Sequence, residues 1–215
     1  IEHIKRGKHA RTIGNEKEKF KVGFIGWLTK WQGLELLING VALANKKIPN
    51  LELYIIGDGP LRAKIEEMCK CSSVCCTITG FVSHIKALNL LCNIDVLVVP
   101  RTSSDTLEAV IPLKVIEAWS LEIPVIVTKL KIFTRKYENY LDVIYCDPTP
   151  QSICSAIILL YKNRDLRKKV ASRGPKLALD FDYDHIAESF VKTMMKNLNL
   201  TKKYSMRAIL GLRCH

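Results

Sequence analysis

The stretch VIPLKVIEAWSLEIPVIVT, residues 110–128, decides how the rest of the chain is read. A proline opens an apolar segment of helical spacing that carries Lys114 and Glu117. Three residues apart on a helix, those two side chains share one face. Beyond Pro124 the run Val-Ile-Val has the look of a strand covered on both sides. Two charged groups therefore stand at the mouth of an apolar core, and their presence there needs a reason.

The same rhythm extends outward in both directions. KVGFIG reads as a strand, GLELLINGVALANKK as an amphipathic helix, LELYIIG as a strand and LRAKIEEMCK as a helix. CCTITG, DVLVVP, PVIVT and DVIYC add strands; SHIKALNLLCN, opened by a serine cap, LKVIEAWSL and PQSICSAIILLYKN add helices. A last helix is expected over DYDHIAESFVKTMMKNL. Alternating strands and helices, with several strands apolar throughout, predict an α/β fold: a doubly wound, mainly parallel, Rossmann-like sheet with a C-terminal closing helix. The expected division is a basic entering segment over 1–19, the Rossmann-like domain over 20–178, the closing helix over 179–200 and a basic tail over 201–215. With strand order 3-2-1-4-5-6, the ligand crevice lies between the loops Gly26–Gly33 and Arg101–Pro112.

Composition sets the outer bounds. With 215 residues, 48% hydrophobic and 25% charged, the chain is an ordinary globular protein with a substantial core. No apolar run approaches the ~20 residues of a membrane span, and nothing at the start resembles a signal peptide. The net charge of +12 sits at the ends: +4 over residues 1–22, +8 over 160–215, and a neutral middle. Basic ends suit an anionic membrane surface, nucleic acid or a phosphorylated ligand, and equally plain solvated tails; the expected location is cytoplasmic, with the cytoplasmic face of a membrane as the alternative. No nucleic-acid-binding motif is present, and nucleic acid is not expected as a partner. Four of the eight cysteines cluster in CKCSSVCC, whose spacing is not a common zinc pattern; buried thiols or a disulfide remain open.

Four segments in register, GFIGWLTKWQGLELLI, LYIIGDGPLRAKIEE, ITGFVSHIKALNLLCNIDVLVVP and PLKVIEAWSLEIPVIVT, resemble the C-terminal, donor-binding domain of family 4 glycosyltransferases of the GT-B fold. The resemblance covers about residues 20–195. It implies a retaining hexosyltransferase-like enzyme that uses a nucleoside-diphosphate sugar as donor substrate, with no other cofactor and no metal. Glu117 matches the family's acid that holds the donor ribose; a carboxylate, an acceptor-only group, suits a vicinal diol. Lys114, near the N-terminus of the same helix, is expected to meet the diphosphate. By resemblance, Lys30, Lys114 and Glu117 form the catalytic set. Gly26, Trp27, Gln32, Gly33, Gly57, Gly80, Phe81, Val82, Glu108 and Leu113 line the donor, the base resting on backbone at Gly80–Val82.

The departures are specific. Trp27 and Gln32 stand where the family carries an arginine and a lysine that neutralise the leaving diphosphate, and Lys30 between them is the candidate substitute. The family's first acid of its glutamate pair falls on Ala109, with Glu108 one position out of register. Only one half of a GT-B enzyme is present, and the chain begins on Ile1. The expectation is a fragment, or a chain whose acceptor-binding half is supplied by another, inactive alone. The alternative is a degenerate nucleotide-sugar-binding or regulatory module. Two tempting features have plainer readings: the aspartates of DFDYD as helix caps, and His84 as a first-turn helix residue.

Overall fold

The computed structural model describes residues 19–102 and 110–182. Strands β1 (Phe20–Ile25), β2 (Leu51–Ile56), β3 (Cys76–Ile78), β4 (Val96–Val99), β5 (Val125–Thr128) and β6 (Ile144–Cys146) form one sheet. Every pairing is parallel and the order is β3-β2-β1-β4-β5-β6, as expected. The order reverses between β1 and β4, so a crevice opens beyond their carboxyl ends.

The strands read as unbroken apolar runs because each feeds two cores. Val22, Phe24, Leu53, Ile55, Val96, Val98 and Ile126 enter one layer, with α1 (Leu34–Asn45), α2 (Arg62–Cys71) and α6 (Pro150–Lys162). The intervening Ile56, Leu97, Val99, Val125 and Val127 enter the other, with α3 (His84–Leu91), α4 (Leu113–Ser120) and the short α5 (Lys131–Thr134). A period of two on a sheet covered on both faces leaves no polar position to mark it. The caps are local: Ser83 Oγ accepts from Lys86 N at 3.4 Å, and Thr149 Oγ1 from Ser152 N at 3.2 Å. Among the described residues no helix is long and apolar enough to cross a membrane.

Two helices escaped the sequence reading. The short α5 occupies the KLKIFTRK stretch after β5, and α7 (Arg164–Leu179) fills the interval before the expected closing helix. Only Val170 and Gly174 of α7 are buried, and Gly174-Pro175 mimics a break. Gly174 is instead a contact point: a Cβ there would lie 2.5 Å from the Trp119 carbonyl oxygen. With Trp119 buried against Tyr137 at 4.9 Å between ring centroids, α4 is held from both sides. Of the DFDYD aspartates only Asp180 and Asp182 are described, and the helix they are expected to cap lies outside the described residues. Asp180 closes α7 rather than opening a helix, a position the helix dipole disfavours, and Lys136 offsets its charge at 3.4 Å. Segment 1–18, Glu108, Ala109, Asp184, the expected closing helix from residue 183 and the tail 201–215 lie outside the described residues.

The described cysteines are free thiols. A hydrogen bond between Cys69 of α2 and Cys76 of β3 lowers the pKa of the first and raises that of the second.

Gly33 shapes the crevice wall. It ends a 3-10 turn (Lys30–Gln32) at φ 70°, and a Cβ on it would lie 1.8 Å from the Pro100 carbonyl oxygen. Gly33→Ala therefore forces both a left-handed alanine and a displacement of the loop after β4. Chemical denaturation is expected to show a loss of about 2 kcal/mol or more, and a loss under about 0.5 kcal/mol would refute the close approach.

Candidate functional site

Four loops converge beyond the carboxyl edge of the sheet. The loop after β1 is anchored to the turn after β2 by Leu28 N donating to Asp58 O at 2.8 Å. Gly57 of that turn faces Gly26 so closely that a Cβ would stand 2.1 Å from the Gly26 carbonyl oxygen. Its own N–H donates to Thr79 Oγ1 at 3.2 Å, and it bridges to Gly80, which brings the β3–α3 loop into the same group. From the β4 side, Thr102 N donates to Trp31 O at 3.4 Å.

Into this edge α4 sends the two charged groups of the opening stretch. Lys114 is only 9% exposed, and its Nζ donates to Gln32 Oε1 at 3.0 Å and lies 4.4 Å from the Phe24 ring centroid. Gly26 is what admits it: a Cβ there would sit 2.6 Å from the ammonium nitrogen. Burial, and then the nearby Arg101 cation, push the Lys114 pKa down to about 7, against a smaller opposing pull from Glu117. Lys114 and Gln32 thus meet, and the position where the family usually carries a lysine supplies an acceptor to the buried ammonium instead.

Glu117, also 9% exposed, turns to a different neighbour. Its Oε1 lies 2.7 Å from His84 Nε2, at the first residue of α3. His84 is therefore a first-turn residue, as its position indicates, and also a partner of the expected ribose carboxylate. Sequence placed it on the helix but had no means of linking it to a residue 33 positions later.

The remaining candidates divide. Gly26, Gly33, Gly57 and Gly80 build the walls; Trp27 is 55% and Phe81 83% exposed, Leu113 is exposed, and Val82 is half-buried. Lys30 is exposed at the start of the 3-10 turn, and no side-chain hydrogen bond ties it to Lys114 or Gln32. A cation that the sequence reading left unassigned is nearer. Arg101, half-buried directly after β4, packs over the Trp31 ring at 5.1 Å, and its Nε has no hydrogen-bond partner among the described residues. Its place at the carboxyl end of a central strand was the available signal. Together the crevice offers a buried amine, an under-partnered guanidinium and a buried carboxylate, a set suited to a ligand with anionic and hydroxyl groups.

Comparison with known proteins bears on the family and the fold. The family model for glycosyl transferases group 1 matches residues 5–177. No curated protein sequence matches the chain. Among solved structures, Anabaena Alr3699/HepE in complex with UDP and glucose is similar at 18% identity and TM-score 0.70, over 83% of this chain and 48% of that one. The C-terminal domain of a glycosyl transferase group 1 family protein (LpcC) from Francisella tularensis is similar at 19% identity and TM-score 0.64, over 76% and 86%. The catalytic domain of cholesterol-alpha-glucosyltransferase from Helicobacter pylori is similar at 20% identity and TM-score 0.66, over 77% and 100%. The chain thus spans about half the length of HepE, and these likenesses are of fold. On the match over most of its length, the chain belongs to the glycosyl transferases group 1 family.

Proposed function

We propose that this chain is the donor-binding half of a retaining glycosyltransferase and takes a nucleoside-diphosphate sugar in the crevice between β1 and β4. The observation that carries the reading is the pair of buried charges on α4, Lys114 and Glu117, each held by a neighbour of its own and neither neutralised by the other. In this reading Glu117 accepts the ribose hydroxyls, Lys114 and Arg101 face the diphosphate, and Gly80–Val82 offer backbone to the base. As the acceptor hydroxyl attacks the anomeric carbon, the sugar–phosphate bond breaks and charge grows on the diphosphate. Cations already fixed in a partly dry site stabilise that charge without reorganising. The acceptor-binding half is proposed to lie outside this chain, and the location to be cytoplasmic.

UDP is the first probe, because HepE and the pneumococcal O-GlcNAc transferase GtfA are described with it. Calorimetric titration is expected to show UDP binding that Glu117→Ala weakens at least about tenfold, the scale of hydrogen bonds to a charged acceptor. Equal affinity in the two chains would remove Glu117 from the site, and a parallel titration with GDP identifies the base.

The state of Lys114 gives a second test. With its pKa near 7, the amine is largely neutral in the free chain above that pH. A diphosphate brings negative charge to Nζ and raises the pKa, while Arg101 opposes and Glu117 assists the protonated form. Binding at about pH 8 should therefore take up close to one proton, seen as a buffer-dependent enthalpy in titrations run in Tris and in HEPES. Lys114→Met should abolish the uptake; an unchanged uptake in that variant would assign the proton elsewhere.

A second reading, a nucleotide-sugar-binding module without turnover, draws on Trp27, which places an exposed indole where the family carries a cation. The two readings part on restored cations in an enzyme completed with an acceptor half. Gln32→Lys removes the acceptor of the Lys114 bond and sets two amines against each other, so it is expected to weaken UDP binding by roughly fivefold or more. A large gain in transfer from Trp27→Arg with Gln32→Lys would instead mark the present site as decayed.

A further inference from the structure

The contact between His84 and Glu117 does something that the fold does not require of it. The helix α3 is already capped by Ser83 and docked by the buried Ala87, Leu88 and Leu91. The His84 side chain remains 66% exposed while that of Glu117 is only 11% exposed, so the imidazole adds little to the core. What the contact does fix is a carboxylate. Glu117 Oε1 is 2.7 Å from Nε2, and because a carboxylate only accepts, Nε2 carries the hydrogen between them. One acceptor position of Oε1 is thereby used, and among the described residues no hydrogen bond takes the other Oε1 position or Oε2, which leaves room for the two donors of a diol.

The topology gives this bond a second consequence. His84 immediately follows the loop Gly80–Ser83, which bridges to Gly57 at the carboxyl edge of the sheet, while Glu117 belongs to α4. A single hydrogen bond ties the loop after β3 to the carboxylate on the helix after β4. Holding a long side chain in one rotamer before the ligand arrives removes an ordering cost from binding.

We propose that His84 is a positioning residue of the donor site, holding the Glu117 carboxylate in the orientation that accepts both ribose hydroxyls of a nucleoside diphosphate. The inference rests on the reading of Glu117 as the ribose acceptor. His84 itself touches no reacting atom; it acts through Glu117, and its effect is confined to ligands that carry the diol.

The test is a ligand-by-variant cycle, using UDP and 2′,3′-dideoxy-UDP against the wild-type chain, His84→Ala and His84→Gln. The glutamine amide nitrogen can stand where Nε2 stands and donate to the same oxygen. His84→Ala is expected to weaken UDP roughly five- to tenfold and dideoxy-UDP by less than about twofold, with His84→Gln within about twofold of wild type for both. Loss of equal size for the two ligands in His84→Ala would overturn the inference, since the residue would then act on the loop or the fold. So would an unchanged preference for UDP. A wild-type chain that binds both ligands equally, or that binds neither UDP nor GDP, overturns the ribose reading of Glu117 itself and this inference with it; if GDP alone binds, the same cycle is run with GDP and its 2′,3′-dideoxy form.

Discussion

The carboxyl edge of this sheet depends on backbone meeting backbone where a side chain would leave no room. Gly33 lies against the Pro100 carbonyl and Gly57 against the Gly26 carbonyl, at separations that a Cβ would reduce to 1.8 and 2.1 Å. These approaches draw the loops after β1, β2 and β4 into one wall. The same closeness at Gly26 lets the Lys114 ammonium reach Gln32 beneath the loop. Were these contacts looser, water would reach the amine and its pKa would return toward that of an ordinary lysine.

Buried charge in this domain is handled in two ways. At the amino end of β2, Glu52 is met by Lys19 and accepts from the Tyr54 hydroxyl at 3.3 Å. Asp142, before β6, accepts from Arg173 at 3.0 Å and from Glu138 N at 3.0 Å. Both are matched by opposite charge, as expected of charges that serve the fold. Lys114 is held by an amide oxygen and an aromatic face, with a second cation nearby and, among the described residues, no carboxylate in ion-pair contact. A buried amine of that kind costs free energy unless an anion relieves it, and under the proposed function the donor diphosphate is that anion.

The departures from the family pattern gain coherence at the same point. Gln32 is not merely a lost lysine, because its oxygen is the hydrogen-bond partner of the amine that α4 supplies. Arg101 adds a guanidinium from the end of β4, stacked on Trp31. Arg101 and Lys114 place positive charge on the β4 side of the crevice, and Trp27 is an exposed aromatic in the loop after β1.

Much of this was legible along the chain. Apolar strands spaced by amphipathic helices imply a parallel sheet covered on both faces, because local periodicity and burial are the same physical fact viewed twice. Lys114 and Glu117 stood out as candidates because a charge inside an apolar stretch demands an explanation that sequence position alone can raise. The helix α7 was not legible: its contact with α4 is made by Gly174, a residue that signals a break until the Trp119 carbonyl is seen beside it. Nor were the partners of the two charges. Gln32 and Lys114 are 82 residues apart and His84 and Glu117 are 33 apart, and no local pattern encodes which side chain will fill the space beside another. The sequence by itself determined the layers and the helix that carries the charges, while the strand order was supplied by the structure. The tertiary structure alone decided that one charge answers to an amide and the other to an imidazole, because those pairings follow from close packing between distant segments rather than from the chain's own period.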